Sequence, residues 1–170
     1  MADTNIEKVL FNKKNIDVSS TFSIFELYHS SIEHNSDKRQ NTNSFFLTLN
    51  TGIFAIIGFL FNKDTPTELQ LLYLLLPIAG ILASYFWLKL VVSYSQLNAG
   101  KFIVLNAIEK ILPIKPFTTE WSILGNGDDK KIYHPLTKIE KRIPILFIVI
   151  YAIAFLYLLI FIFINKRFHA

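Results

Sequence analysis

Between Ile143 and Ile164 the chain reads IPILFIVIYAIAFLYLLIFIFI, twenty-two residues without a charge. As a helix this stretch is about 33 Å long, close to the thickness of a bilayer's hydrocarbon core. Lys141 and Arg142 precede it and Lys166 and Arg167 follow it, so basic anchors stand at both expected water boundaries. A soluble domain of 170 residues has too little protein to cover such a helix on every side. The stretch reads as a transmembrane helix, and the chain as an all-α integral membrane protein.

Working outward, two more apolar stretches precede it, Ser44 to Phe61 and Leu69 to Leu88, joined by Asn62-Lys63-Asp64-Thr65-Pro66-Thr67-Glu68. A connection that short forces an antiparallel hairpin. Pro66, Thr67 and Glu68 suit the start of the second helix, and Asn62 and Lys63 the end of the first. The polar segment 1–43 and the lack of a small-residue cleavage site speak against a removed leader, so the N-terminus is expected to be kept. Composition agrees with three spans: 52% of residues are hydrophobic, 15% aromatic and only 18% charged. With no cysteine, disulfides, thiolate metal sites and cysteine nucleophiles are excluded. A net charge of +4 spread along the chain gives no nucleic-acid footprint, so nucleic acid is not expected as a partner.

Basic residues set the expected orientation. Lys8, Lys13, Lys14, Lys38 and Arg39 precede the first span, and Lys89, Lys101, Lys110, Lys115, Lys130, Lys131, Lys138, Lys141 and Arg142 lie between the second and third. The opposite face receives only Lys63, Lys166 and Arg167. The reading is therefore a cytoplasmic N-terminal region (1–43), spans at 44–61, 69–88 and 143–164, an external turn (62–68), a cytoplasmic region (89–142) and an external tail (165–170).

In the first cytoplasmic piece Phe22, Phe25, Tyr28 and Ile32 recur at helical spacing, with Ser23 to Glu26 as a capping box. Asn35, Asn41 and Asn43 weaken helix propensity and mark a possible bend before the first span. Beyond Leu88 the helical spacing continues through Val91, Tyr94, Leu97, Phe102, Leu105, Ile108 and Leu112 to Pro113. The second membrane helix is thus expected to extend into a cytoplasmic stalk. Its apolar stripe needs burial against the N-terminal helix, a neighbouring subunit or both, with Asn98, Lys101 and Glu109 set between the apolar positions. Leu105→Asp is accordingly expected to break the assembly. Residues 117–133, around Gly125-Asn126-Gly127-Asp128, read as two short extended or irregular segments, a small β-hairpin-like element.

Chemistry is sparse. His29, His34, His134 and His169 offer no pair at helical ligand spacing, and neither a nucleophile elbow nor a phosphate-cradling glycine loop occurs. No metal and no cofactor is expected. Glu109, Glu120 and Glu140 are the carboxylates whose surroundings suggest positioning, by pairing with Lys101, Lys110 or Arg142 rather than by catalysis. The spans lack the acidic and basic groups of a proton relay. They do carry small and polar residues, Asn50, Gly52, Ala55 and Gly58 in the first and Gly80 and Ser84 in the second, which permit close helix packing and a hydrogen bond across helices. The third span, apolar all round, reads as a lipid-facing wall.

The set Lys38-Arg39, Asn43, Phe45-Phe46, Trp87, Tyr94, Leu97-Asn98, Lys101-Phe102, Glu109, Leu112-Pro113, Phe117, Glu120-Trp121, Thr137 and Glu140 before Pro144 resembles the RipA-like family of octameric bacterial inner-membrane proteins. The likeness covers about Glu26 to Tyr151. Lys38 and Ser95 stand where that pattern carries arginine, so no role of those guanidinium groups is carried over. The resemblance implies a homo-octamer in the bacterial cytoplasmic membrane, in contact with lipid and itself, and brings no catalytic residue. The stalk set Tyr94, Leu97, Asn98, Lys101, Phe102, Leu105, Ile108, Glu109, Leu112, Glu120 and Trp121 is expected to hold subunits together. A non-enzymatic scaffold or envelope role follows. The alternatives are a ring-shaped channel repeating Lys101 or Glu109 about its axis, and a membrane-tethered enzyme using Glu120 or Glu140.

Overall fold

The computed structural model describes residues 7, 10–11, 17–61 and 70–168. The described residues from 17 onward form four α-helices: α1 (Val18–Phe61), α2 (Gln70–Glu109), α3 (Pro116–Ile123) and α4 (Leu136–Phe168). A 3-10 turn at Gly125–Gly127 follows α3. α1, α2 and α4 each contain a segment long and apolar enough to cross a membrane. The turn 62–68, the basic residues Lys8, Lys13, Lys14 and Lys63, and His169 lie outside the described residues, as do the side chains of Lys166 and Arg167.

The structure corrects the expected hairpin: residues 116–123 are helical, and no strand occurs among the described residues. Pro116 occupies the first turn, where its missing N–H costs nothing and its fixed φ favours the helix. The glycines serve to end that helix. Gly125, Asn126 and Gly127 all adopt positive φ, at 65°, 54° and 77°. At Gly127 any Cβ would also meet the Trp121 ring at 2.9 Å, so both the dihedral and the close approach require glycine.

α1 begins earlier than the capping box at Ser23 implied. Asp17 is its cap, its carboxylate accepting from the backbone N–H of Ser19 (3.3 Å) and Ser20 (3.1 Å) and from both hydroxyls (2.5 and 2.7 Å). Ser23 sits inside the helix, and no break occurs at Asn35, Asn41 or Asn43. The Ser19 hydroxyl above all, then the Ser20 hydroxyl and the two amides, hold the exposed Asp17 carboxyl well below the ordinary aspartate range. Because the folded value is depressed, the cap's stabilisation is complete above about pH 4 and is lost as acidification continues below it. In hydrogen exchange near neutrality, Asp17→Ala should lower protection at residues 18–21, with the difference from the parent chain shrinking in strong acid. Equal protection in both chains at pH 7 would contradict the cap.

Two compact units are distinguished, one of residues 40–92 with 137–170 and one of residues 1–39 with 93–136. In the first, three helical segments form a bundle. Asn43 meets Trp87 and Asn50 meets Ser84, so the α1 and α2 segments run antiparallel. Asn43 meets Glu140 and the Asn50 carbonyl meets Tyr151, so the α4 segment runs parallel to that of α1. Trp87, Val91, Ser84, Asn50, Tyr151 and Leu158 are buried, whereas Leu82, Phe86, Ile153, Leu156 and Phe163 point outward. α4 is thus not a wall without an inner face: Tyr151 and Leu158 belong to the bundle core. In the second unit the same two long helices pair again, Asn35 with Asn98 and Ser31 with Lys101, over a core of Ile32, Leu105, Ala107, Ile108 and Leu112.

Candidate functional site

Polar side chains inside an apolar bundle are costly unless paired, so their partners locate what the fold specifies. Two layers occupy the 40–92/137–170 unit. In one, the Trp87 indole N–H donates to the Asn43 side-chain oxygen (2.8 Å), and the Asn43 amide donates to Glu140 (3.2 Å). Three helical segments thereby meet at one level, flanked by Phe46 stacked on Trp87 at 5.9 Å and 7° and by Phe147 at 6.0 Å from Trp87. In the other, Ser84 Oγ donates to Asn50 Oδ1 (2.9 Å), Asn50 Nδ2 donates to the Phe46 carbonyl (2.7 Å), and Tyr151 Oη donates to the Asn50 carbonyl (3.0 Å). Phe54 stacks on Tyr151 at 4.6 Å and 8°. Where no water competes, such bonds and close packing replace the hydrophobic effect as the force between helices.

Glycine 80 completes that second layer. An added Cβ there would fall on the Tyr151 ring, so the absence of a side chain is what admits the aromatic group.

The 1–39/93–136 unit is organised around Glu109, which is fully buried. Its Oε1 accepts the Phe117 N–H (2.7 Å), and its Oε2 accepts the Thr118 N–H (2.9 Å) and hydroxyl (2.6 Å). A carboxylate at the end of α2 therefore caps α3, placing negative charge where that helix's free amides and positive dipole end lie. Phe117, anchored this way, packs against Phe25 (5.8 Å), His29 (5.3 Å) and Phe102 (6.2 Å). Glu109 is not paired with Lys101 or Lys110, against expectation. Lys101 Nζ donates to the Ser31 carbonyl (2.8 Å) and hydroxyl (2.5 Å), and Lys110 pairs with Glu7 at 2.8 Å.

The stalk residues separate accordingly. Leu105, Ile108, Glu109 and Leu112 are buried within the subunit, while Leu97, Phe102, Glu120 and Trp121 remain exposed and Tyr94, Asn98 and Lys101 are half-buried. Leu105→Asp would therefore test the fold of the subunit itself. Of the small residues in the spans, Asn50, Gly80 and Ser84 are brought together, whereas Gly52, Ala55 and Gly58 face outward, with nothing near a Cβ at Gly52 or Gly58. Trp87, Asn43 and Tyr151 were not singled out as packing residues from spacing. Their signal was the presence of a polar group, or a polar-tipped aromatic, in or beside an apolar run. No group of three or more histidine, aspartate or glutamate side chains placed to hold a metal ion occurs among the described residues.

The bundle is thus one of long apolar helices held by amide, indole and phenol groups. Residues 22–161 match the octameric membrane protein family (8xMP). The chain belongs to that family. No curated protein and no solved structure matches it. Membership of the octameric membrane protein family makes it a self-associating membrane protein and agrees with the octameric membrane family suggested by the residues from Glu26 to Tyr151.

Proposed function

We propose that the chain is a non-enzymatic scaffold or envelope component of the bacterial cytoplasmic membrane, assembled as a homo-octamer with its N-terminus and residues 89–142 in the cytosol. The observation that carries this reading is the apolar surface left open in the 1–39/93–136 unit. Leu27 is 70% exposed, Ile114 67% and Ile123 71%, with Leu97, Ile103, Trp121 and Ile132 also open. These positions lie outside the three apolar stretches, where lipid would not cover them, and so many large apolar side chains open to water mark a place for a partner. In a family described as octameric, a second copy is the natural cover. The outward-facing Gly52, Ala55 and Gly58 add a place for close approach between helices of neighbouring subunits.

A scaffold is favoured over a channel because the two side chains that a charged ring would repeat are engaged within the subunit, Glu109 as a helix cap and Lys101 on Ser31. The excess of basic residues in 1–43 and 89–142 supports the orientation.

Ile123→Asp tests the assembly, because Ile123 is exposed and its loss leaves the subunit core intact. In detergent the native mass should fall from that of an octamer to smaller species, with helical content and membrane extraction unchanged. An unaltered mass would remove Ile123 from the interface. An unmodified chain that runs as a monomer would sink the scaffold reading altogether.

A further inference from the structure

The Asn43, Trp87 and Glu140 layer marks one level of the bundle, and the charges around that level are one-sided. Among the described residues of the 40–92/137–170 unit, Glu140 is the only acid, and it turns inward to accept from Asn43. Lys138 and Arg142 lie two positions before and after it, hence on the opposite side of α4, and both are exposed. They stand one turn apart, so two like charges share one face, an arrangement that repels unless an anion sits between them. On α2, Lys89 lies two residues beyond Trp87, exposed, with its ammonium 5.4 Å from the centroid of the Tyr85 ring. A cation over an aromatic ring at the end of an apolar run is an arrangement suited to the headgroup level of a bilayer. Further along the same outward faces Leu82 and Phe86 on α2, and Ile145, Leu146 and Val149 on α4, present apolar surface.

Cations at one level and uncovered apolar side chains directly along the same helices match the two ends of one molecule. We infer that Lys138 with Arg142 on α4, and Lys89 on α2, bind headgroups of anionic phospholipid whose acyl chains lie along the outward faces of those two helices. The inference rests on the membrane reading above. On α4 the phosphate accepts from the Arg142 guanidinium and the Lys138 ammonium one turn away, and on α2 from the Lys89 ammonium, so that the bilayer supplies counter-charge where Glu140, the one acid among the described residues of this unit, is turned inward.

The test uses the full chain reconstituted in phosphatidylcholine vesicles holding a minority of phosphatidylglycerol, then re-extracted, with the retained lipid quantified. Retained lipid should be enriched in phosphatidylglycerol over the vesicles. Neutralising Lys89, Lys138 and Arg142 to glutamine should lower the enrichment by about fivefold for each side chain removed, while Lys138→Arg with Arg142→Lys should keep it. Where the triple variant fails to insert, Lys138→Gln and Arg142→Gln alone give the same reading at smaller amplitude.

Unchanged enrichment after neutralisation would overturn the inference, as would its loss to inorganic phosphate added at equal headgroup concentration, which would point to a free anion. Enrichment absent from the parent chain, together with an assembly that dissociates in salt, would instead assign these cations to the acidic surface of a neighbouring copy. Alkaline washing of the same vesicles separates the two failures. A chain released by the wash refutes the membrane reading, and a chain retained without enrichment refutes only the lipid surface.

Discussion

Glu109→Ala is expected to destabilise the 1–39/93–136 unit by about 3–5 kcal/mol. The reason is the number of donors orphaned: the amides of Phe117 and Thr118 and the Thr118 hydroxyl all lose their acceptor at once. A buried donor left without a partner costs about 1–3 kcal/mol, and the three are reduced somewhat because water reaches part of the site. Loss of the cap also frees Phe117 from its contacts with Phe25, His29 and Phe102. Glu109→Gln should recover only part of this, because its carbonyl oxygen can still accept the Thr118 donors while its NH2 then faces the Phe117 N–H. Thr118→Val, which removes only the hydroxyl bond, should cost about 1 kcal/mol. Thermal unfolding in detergent, read with amide exchange over Pro116–Ile123, measures each. A Glu109→Ala chain that keeps parental protection in that helix would show that the carboxylate is dispensable.

Gly80→Val is the second large effect, with an expected cost of about 3 kcal/mol from overpacking. Its Cβ lands on the Tyr151 ring, which is itself fully buried, stacked on Phe54 and tied by its hydroxyl to the Asn50 carbonyl. The ring therefore cannot swing aside without breaking the layer. Tyr151→Ala alone leaves a cavity, at about 3–5 kcal/mol by analogy with other aromatic truncations. The two changes together should cost less than their sum, since the valine partly fills the space the ring vacates. Additive losses would mean that residues 80 and 151 do not touch.

Both effects come from contacts that no spacing rule contains. The apolar stretches were legible because twenty-odd uncharged residues admit one solvent, and three helices long and apolar enough to span were the outcome. The continuation of α2 past Leu88 was legible for a related reason, a stripe that kept helical spacing as far as Leu112. The segment after Pro116 was misread. Phe117 to Leu124 mixes aromatic, β-branched and glycine-flanked residues that favour extended structure when taken locally. Its helix is stabilised from outside, by a carboxylate eight residues upstream, which local propensity cannot register. Glu109 itself reads as a positioned acid, but the opposite charges of Lys101 and Lys110 on the same helix suggest a pairing that the structure does not make, because backbone amides of the following helix take the carboxylate instead.

From the order of residues alone came the medium, the number of apolar rods and the excess of basic residues around the first and third polar segments, because these depend on transfer free energies that sum along a chain. Which residues meet was decided only in three dimensions. Asn43, Trp87 and Glu140 are separated by dozens of positions, as are Asn50, Ser84 and Tyr151, and they converge because a polar atom among hydrocarbon must find a partner and only the packed bundle determines which one is within reach.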